Sequence, residues 1–205
     1  MSSQKAVFLD RDGIVNQLLY FAEQGRIDTP LNPQQFQLIP GVGQGIKTLS
    51  SAGFQIVIVS NQPGIAKGQL SRGTFESIRQ ETRHQLEAEG ALLDGEYYCL
   101  HHPQAVVSEY REKCDCRKPK PGLILQAAGE RSLDIESSFM VGDGLTDVEA
   151  GNKAGCHTIL IAHLSSLLTE TMERKRIHPT YLAEDFSEAV GLILGHKSTI
   201  GSDRP

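Results

Sequence analysis

The stretch Ala6-Val7-Phe8-Leu9-Asp10-Arg11-Asp12-Gly13 decides the fold. Four apolar residues run without a polar break and stop at two acids and a glycine. A short apolar run bounded by turn residues reads as a buried strand. The arrangement recurs along the chain. Gln55-Ile56-Val57-Ile58-Val59-Ser60 is β-branched and continuous, and ends at Asn61-Gln62-Pro63-Gly64. Runs of this kind, with no alternation, suit a parallel strand covered on both faces. Glu96–Cys99, Ser138–Gly142 and His157–Ile161 supply three more strands. Helical periods lie between and after them. Gly45–Ala52 stops at Gly53, and Thr74–Glu89 carries Phe75, Ile78, Thr82 and Leu86 on one stripe before Gly90. Pro121–Arg131, Asp147–Ala154 and Asp185–Leu194 complete the set. Strands alternating with helices predict an α/β domain with a mainly parallel, doubly wound sheet. Ligands of such sheets bind beyond the carboxyl ends of the strands, so chemistry is expected just after each strand.

The chain has 205 residues, 39% hydrophobic and 22% charged, with a net charge of −5. That length suits one domain, expected over residues 1–195, and the composition excludes wholesale disorder. The polar tail, residues 196–205, is expected to be flexible. An acidic chain without a basic face argues against a nucleic-acid partner. No apolar run approaches the roughly 20 residues needed to cross a bilayer, which argues against a membrane partner. Only four apolar residues separate Lys5 from Asp10, too few for a signal-peptide core. A cytoplasmic monomer is expected.

After the first strand, Asp10 and Asp12 are two apart in an extended segment, so both can face one site. Two close carboxylates can hold Mg²⁺, or one can attack while the other shuttles a proton. Asp12 can equally belong to an acidic turn. After the second strand, Ser60 and Asn61 offer small polar groups to an oxyanion, which makes Asn61 a candidate substrate contact. After the fourth strand, Asp143 can join Asp10 and Asp12 around one cation. Asp147 opens a helix, either as a cap or as a supporting acid. In Arg117-Lys118-Pro119-Lys120-Pro121, Lys118 can stabilise a phosphoryl group.

The cysteines are Cys99, Cys114, Cys116 and Cys156. Clustered cysteines in a chain that is neither small nor visibly secreted point to metal or redox chemistry. Cys99-Leu100-His101 and Cys114-Asp115-Cys116 bracket a polar segment. Three thiolates and one imidazole form a closed tetrahedral Zn²⁺ set with no place for water, hence a structural zinc. His102 competes with His101 for the fourth place. Cys156 beside an apolar strand reads as a small core residue.

Together the four motifs, D-R-D-G, S-N-Q, R-K-P-K-P and G-D-G-L-T-D, resemble those of the haloacid dehalogenase superfamily of aspartate-nucleophile phosphatases. C-x-H…C-x-C-R-K-P-x-P-G resembles its heptose bisphosphate phosphatases and their relatives, the histidinol-phosphate phosphatases. The resemblance implies a Rossmann-like fold without a large cap domain, a zinc-stabilised loop over 99–116, and a phosphorylated small-molecule substrate. It implies Asp10 as nucleophile, Asp12 as general acid/base, and Ser60 and Lys118 as phosphoryl stabilisers. It also implies substrate recognition by Arg117, Mg²⁺ on Asp10, Asp12 and Asp143, and His101 as the zinc-ligating histidine. Three positions depart from the pattern: Pro63 stands for a common serine, Gly144 for a common lysine, and Gln17–Pro40 is long. One rival reading is a zinc-stabilised module whose R-K-P-K loop contacts nucleic acid, against which the acidic charge and the carboxylates after the strands argue. The other is a glycosyltransferase D-x-D site, which leaves Lys118 and the zinc loop unexplained.

Overall fold

The computed structural model describes residues 4–196. Its sheet holds β1 (Ala6–Leu9), β4 (Gln55–Asn61), β5 (Gly95–Cys99), β6 (Phe139–Gly142), β7 (His157–Ile161) and β8 (Tyr181–Ala183). They lie in the order β5-β4-β1-β6-β7-β8, and every neighbouring pair is parallel. The chain runs from β1 outward through β4 to β5, then returns to β6 and builds the other half. The strand order therefore reverses around β1. The switch point, where ligands of such sheets bind, lies between the loops leaving β1, β4 and β6.

Both faces of β1 are covered, as its unbroken apolar run demands. Val7 and Leu9 face one cluster with Ile56, Ile58 and Val141, roofed by Ile46 and Leu49 of α1 (Val42–Ser51). Leu86 of α2 (Arg72–Ala88) and Val190 of α6 (Phe186–Gly195) close the same layer. Ala6 and Phe8 face the other cluster, with Val57, Val59 and Met140. Leu123, Ile124 and Ala127 of α3 (Gly122–Arg131) and Ala150 of α4 (Leu145–Ala154) cover it. All four β1 residues are fully buried. Truncating Phe8 to alanine there would cost about 3–5 kcal/mol.

The predicted strands and helices are all present, with three helices starting early. α2 begins at Arg72, two residues before Thr74, because Ser71 caps it by accepting from the Thr74 N–H. α1 begins at Val42, three residues before Gly45, because Gly41 takes φ +85° and turns the chain into the helix. α4 begins at Leu145, and Asp147 sits in its first turn, where its carboxylate reaches back to the Gly144 N–H at 3.0 Å. Three features escape the sequence periodicity. The hairpin β2 (Leu19–Phe21) and β3 (Arg26–Asp28) lies in the long 17–40 segment, and its residues are partly or fully exposed, so no alternation marks it. Helix α5 (Ser166–Lys175) buries only Met172, and β8 is three residues long. Of the expected tail, residues 197–205 lie outside the described residues.

Candidate active site

Each chemically useful side chain leaves the carboxyl end of a strand or the loop beside it. Asp10 follows β1, Ser60 and Asn61 end β4, and Asp143 follows β6. Lys118 comes in from the segment before α3 and is fully buried apart from 3%. Its Nζ donates to Val59 O at 2.8 Å and lies 3.0 Å from Asp10 Oδ1 and 2.6 Å from Asp147 Oδ1. One hydrogen bond and two ion pairs thus surround the ammonium. Burial pulls the Lys118 pKa down, but Asp10 and Asp147 outweigh it and hold the group above its ordinary value. The lysine is charged.

Asn61 places it. Its Oδ1 accepts from the Lys118 N–H and its Nδ2 donates to the Lys118 carbonyl, both at 3.0 Å. The amide expected to contact substrate is spent on this main-chain pair, so Asn61 bears on the site through Lys118.

Asp10, Asp143 and Asp147 bring carboxylate oxygens within 4.8 Å of one another. Burial, followed by repulsion from Asp10 and Asp147, raises the Asp143 pKa to about 7. Burial also lifts Asp147 to about 6, against the pull of Lys118. Asp147 is already committed to Lys118 and to the Gly144 N–H. Asp10 and Asp143 are thus the acids left for a cation, and their hard oxygens suit Mg²⁺. Gly13 makes their approach possible: it takes φ +85°, and a Cβ there would collide with the Asp143 carboxylate.

The carboxylate of Asp12 does not join this cluster. Alternation along the strand would aim Asp10 and Asp12 the same way, but the chain turns at Gly13 and Asp12 is drawn inward. Its Oδ1 accepts from Arg11 Nη2 at 2.9 Å, from Arg11 Nε at 3.2 Å and from Asn16 Nδ2 at 3.1 Å. Its Oδ2 accepts from Gln62 Nε2 at 2.5 Å. Ser60 is buried at the end of β4, and its Oγ accepts from the same Gln62 amide at 3.2 Å.

Beyond the end of β5, Cys99, His101, Cys114 and Cys116 bring their ligand atoms within 4.8 Å of one another. Cys114 Sγ is 3.5 Å from Cys99 Sγ and 3.1 Å from Cys116 Sγ, and all four cysteines are free. His101 turns Nδ1 to Cys116 Sγ at 3.4 Å, whereas His102 accepts from the Gln104 N–H. Geometry thus selects His101. Burial and the neighbouring Cys114 and Cys99 push the Cys116 thiol up, as expected for sulfurs crowded together without a bonded counter-charge. Arg117, directly after the cluster, donates to the His101 carbonyl at 3.3 Å. It lines a cavity of about 460 Å³ together with Lys113, Lys120 and Lys153.

The HAD-hydrolase-like family model matches residues 115–189. The chain is 40% identical over 173 residues to D-glycero-beta-D-manno-heptose-1,7-bisphosphate 7-phosphatase of Haemophilus ducreyi, covering 84% of this chain and 90% of that one. The chain belongs to the HAD-like phosphatases. Within this family, the Escherichia coli K12 protein of the same name is 38% identical over 83% of this chain and 85% of its own. The solved D,D-heptose 1,7-bisphosphate phosphatase from B. bronchiseptica, complexed with magnesium and phosphate, superposes with a TM-score of 0.74 at 28% identity. That match covers 93% of this chain and 98% of that one. The family assignment makes the chain a phosphoric monoester hydrolase.

Asp147, offered by the sequence as a helix cap or a supporting acid, does both: it pairs with Lys118 and accepts from the Gly144 N–H. Two further residues were given no role by the sequence motifs. Arg11 and Gln62 surround Asp12, and no spacing announces them.

Proposed function

We propose that the chain is a Mg²⁺-dependent phosphatase that removes the 7-phosphate of D-glycero-D-manno-heptose 1,7-bisphosphate through an aspartyl-phosphate on Asp10. The observation that carries this reading is the Asp10 carboxylate at the switch point, 3.0 Å from the buried Lys118 ammonium and grouped with Asp143. Relatives with that activity in their names, at 38–40% identity over most of the chain, support the substrate. Asp10 attacks phosphorus; the new Asp10–phosphorus bond forms as the bond to the sugar oxygen breaks, and that oxygen takes a proton from Asp12. Water then attacks the aspartyl-phosphate, gives a proton to Asp12, and releases phosphate with Asp10 restored. Lys118 and Ser60 stabilise the phosphoryl oxygens during both transfers. Asp10 and Asp143 would hold Mg²⁺, which supplies charge neutralisation at those oxygens.

Cys99, His101, Cys114 and Cys116 would hold Zn²⁺ as a closed, structural site. Reduced thiols arranged for a metal also support a cytoplasmic location. Arg117 and the lysines of the adjoining cavity favour a substrate with a second phosphate, because a forked guanidinium pairs well with such a group. The test compares heptose 1,7-bisphosphate, fructose 1,6-bisphosphate and histidinol phosphate at equal concentration. Heptose bisphosphate should be turned over best, and Arg117→Ala should act mainly by raising its KM. A preference of about ten-fold or more for histidinol phosphate, some 1.4 kcal/mol in transition-state binding, would replace this substrate assignment.

A further inference from the structure

We propose that Gln62 is a positioning residue for proton transfer, holding Asp12 in one geometry with Arg11 as its anchor. The inference rests on the phosphatase reading above and extends it to two side chains outside the phosphoryl-contacting set.

Gln62 is only 5% exposed and its amide is fully engaged. Oε1 accepts from Arg11 Nη2 at 2.8 Å. Nε2 donates to Asp12 Oδ2 at 2.5 Å and lies 3.2 Å from Ser60 Oγ. A guanidinium only donates and a carboxylate only accepts, so just one orientation of the amide satisfies both neighbours. The amide therefore bridges the Arg11 guanidinium and the Asp12 carboxylate, which also bond each other directly, and is held in a single orientation. Its main chain is fixed too: the Gln62 N–H donates to Cys99 O at 2.8 Å, where β4 meets the start of the cysteine loop.

Stability alone does not account for this group. Arg11 has no solvent exposure, and its ion pair with Asp12 is buried on both sides. A buried ion pair gains little over apolar packing, because desolvation offsets the attraction. The arrangement even leaves Arg11 Nη1 buried with no hydrogen-bond partner among the described residues. An unpaired buried donor costs free energy. Such a cost is retained where orientation matters, and what is oriented here is the carboxylate assigned to proton transfer.

The test separates positioning for proton transfer from general support. An alkyl phosphate needs its leaving oxygen protonated; p-nitrophenyl phosphate expels a stable phenolate without help. Gln62→Met keeps the length and removes the polar contacts of the amide. Its kcat/KM for an alkyl phosphate should fall about ten- to hundred-fold. On p-nitrophenyl phosphate, assayed where the variant is fully folded, the loss should stay within about three-fold. Gln62→Glu keeps an acceptor for Arg11 but loses donation to Asp12, and should show the same selectivity even if the methionine variant fails to fold. In an Asp12→Asn background, Gln62→Met should add little further loss, because its effect runs through Asp12. Equal losses on both substrates, or additive losses with Asp12→Asn, would overturn the role of Gln62. An Asp12→Asn variant that itself lacks leaving-group selectivity would instead overturn the proton-transfer role of Asp12, and the present inference with it.

Discussion

Two clusters of ligand-type side chains stand at the same end of the sheet, and they are built on opposite plans. The acids Asp10, Asp143 and Asp147 gather around the buried ammonium of Lys118, so the protein supplies part of the neutralising charge itself. The sulfurs of Cys99, Cys114 and Cys116 gather around His101, and the cation that acts on them, Lys120, does so only through space, its ammonium being bonded to Asp115. The first cluster can persist without a metal and exchange one with substrate and water. The second is crowded without a bonded counter-charge, and four soft ligands close around any ion that enters. Hard oxygen donors with an internal cation suit a working Mg²⁺; sulfur and imidazole donors without one suit a permanent Zn²⁺.

The largest expected effect breaks the acid side. Asp10→Asn preserves shape and removes the attacking charge, so phosphate release should fall by about three decades or more. Turnover near that of the wild type would remove Asp10 from the nucleophile's place. Lys118→Ala attacks the same cluster from its centre. Loss of the phosphoryl-contacting cation should lower kcat about 10²–10³-fold. Because Asp10 and Asp147 are left buried without their partner, stability should fall by about 3–5 kcal/mol, read by denaturant unfolding.

Metal removal separates the two clusters. EDTA should abolish turnover and Mg²⁺ should restore it, while elemental analysis still finds about one Zn²⁺ per chain. Cys114→Ser should lose that zinc. A cost of about 2 kcal/mol would lower the melting temperature by roughly 4–8 °C. Full zinc retention in the variant would show that the sulfurs are not its ligands.

The smallest effect sharpens the contrast through pH. The Asp143 pKa is raised from 3.8 to about 7 in the folded protein, so folding favours its protonated form. That contribution to stability is complete below the unfolded value and is lost as pH rises through about 7. Mg²⁺ requires the ionised acid and so recovers stability where the metal-free protein has lost it. The Mg²⁺-induced rise in melting temperature should therefore be larger at about pH 8 than at about pH 5, and Asp143→Asn should flatten that difference. A rise independent of pH would place the cation away from Asp143.

The sequence by itself determined the strands that matter and most of the residues at the switch point. Unbroken apolar runs can only be buried on both faces, and each ends at a polar turn, so Asp10, Ser60 and Asp143 were legible as strand-end groups. The C-x-H and C-x-C pairs were legible because sulfur ligands come in short local spacings. Only the tertiary structure decided how side chains from distant segments divide the work. It kept the Asp12 carboxylate out of the cluster of Asp10, Asp143 and Asp147 and engaged it with Arg11, Asn16 and Gln62. It gave Asn61 to the Lys118 main chain across 57 residues, and it joined Asp147 to the lysine. It also chose His101 over His102, since adjacent residues cannot both face the sulfurs. A spacing in sequence says which side chains can share a face. It does not say which of several donors and acceptors will pair, because that choice depends on distances set only when the strands close into one sheet.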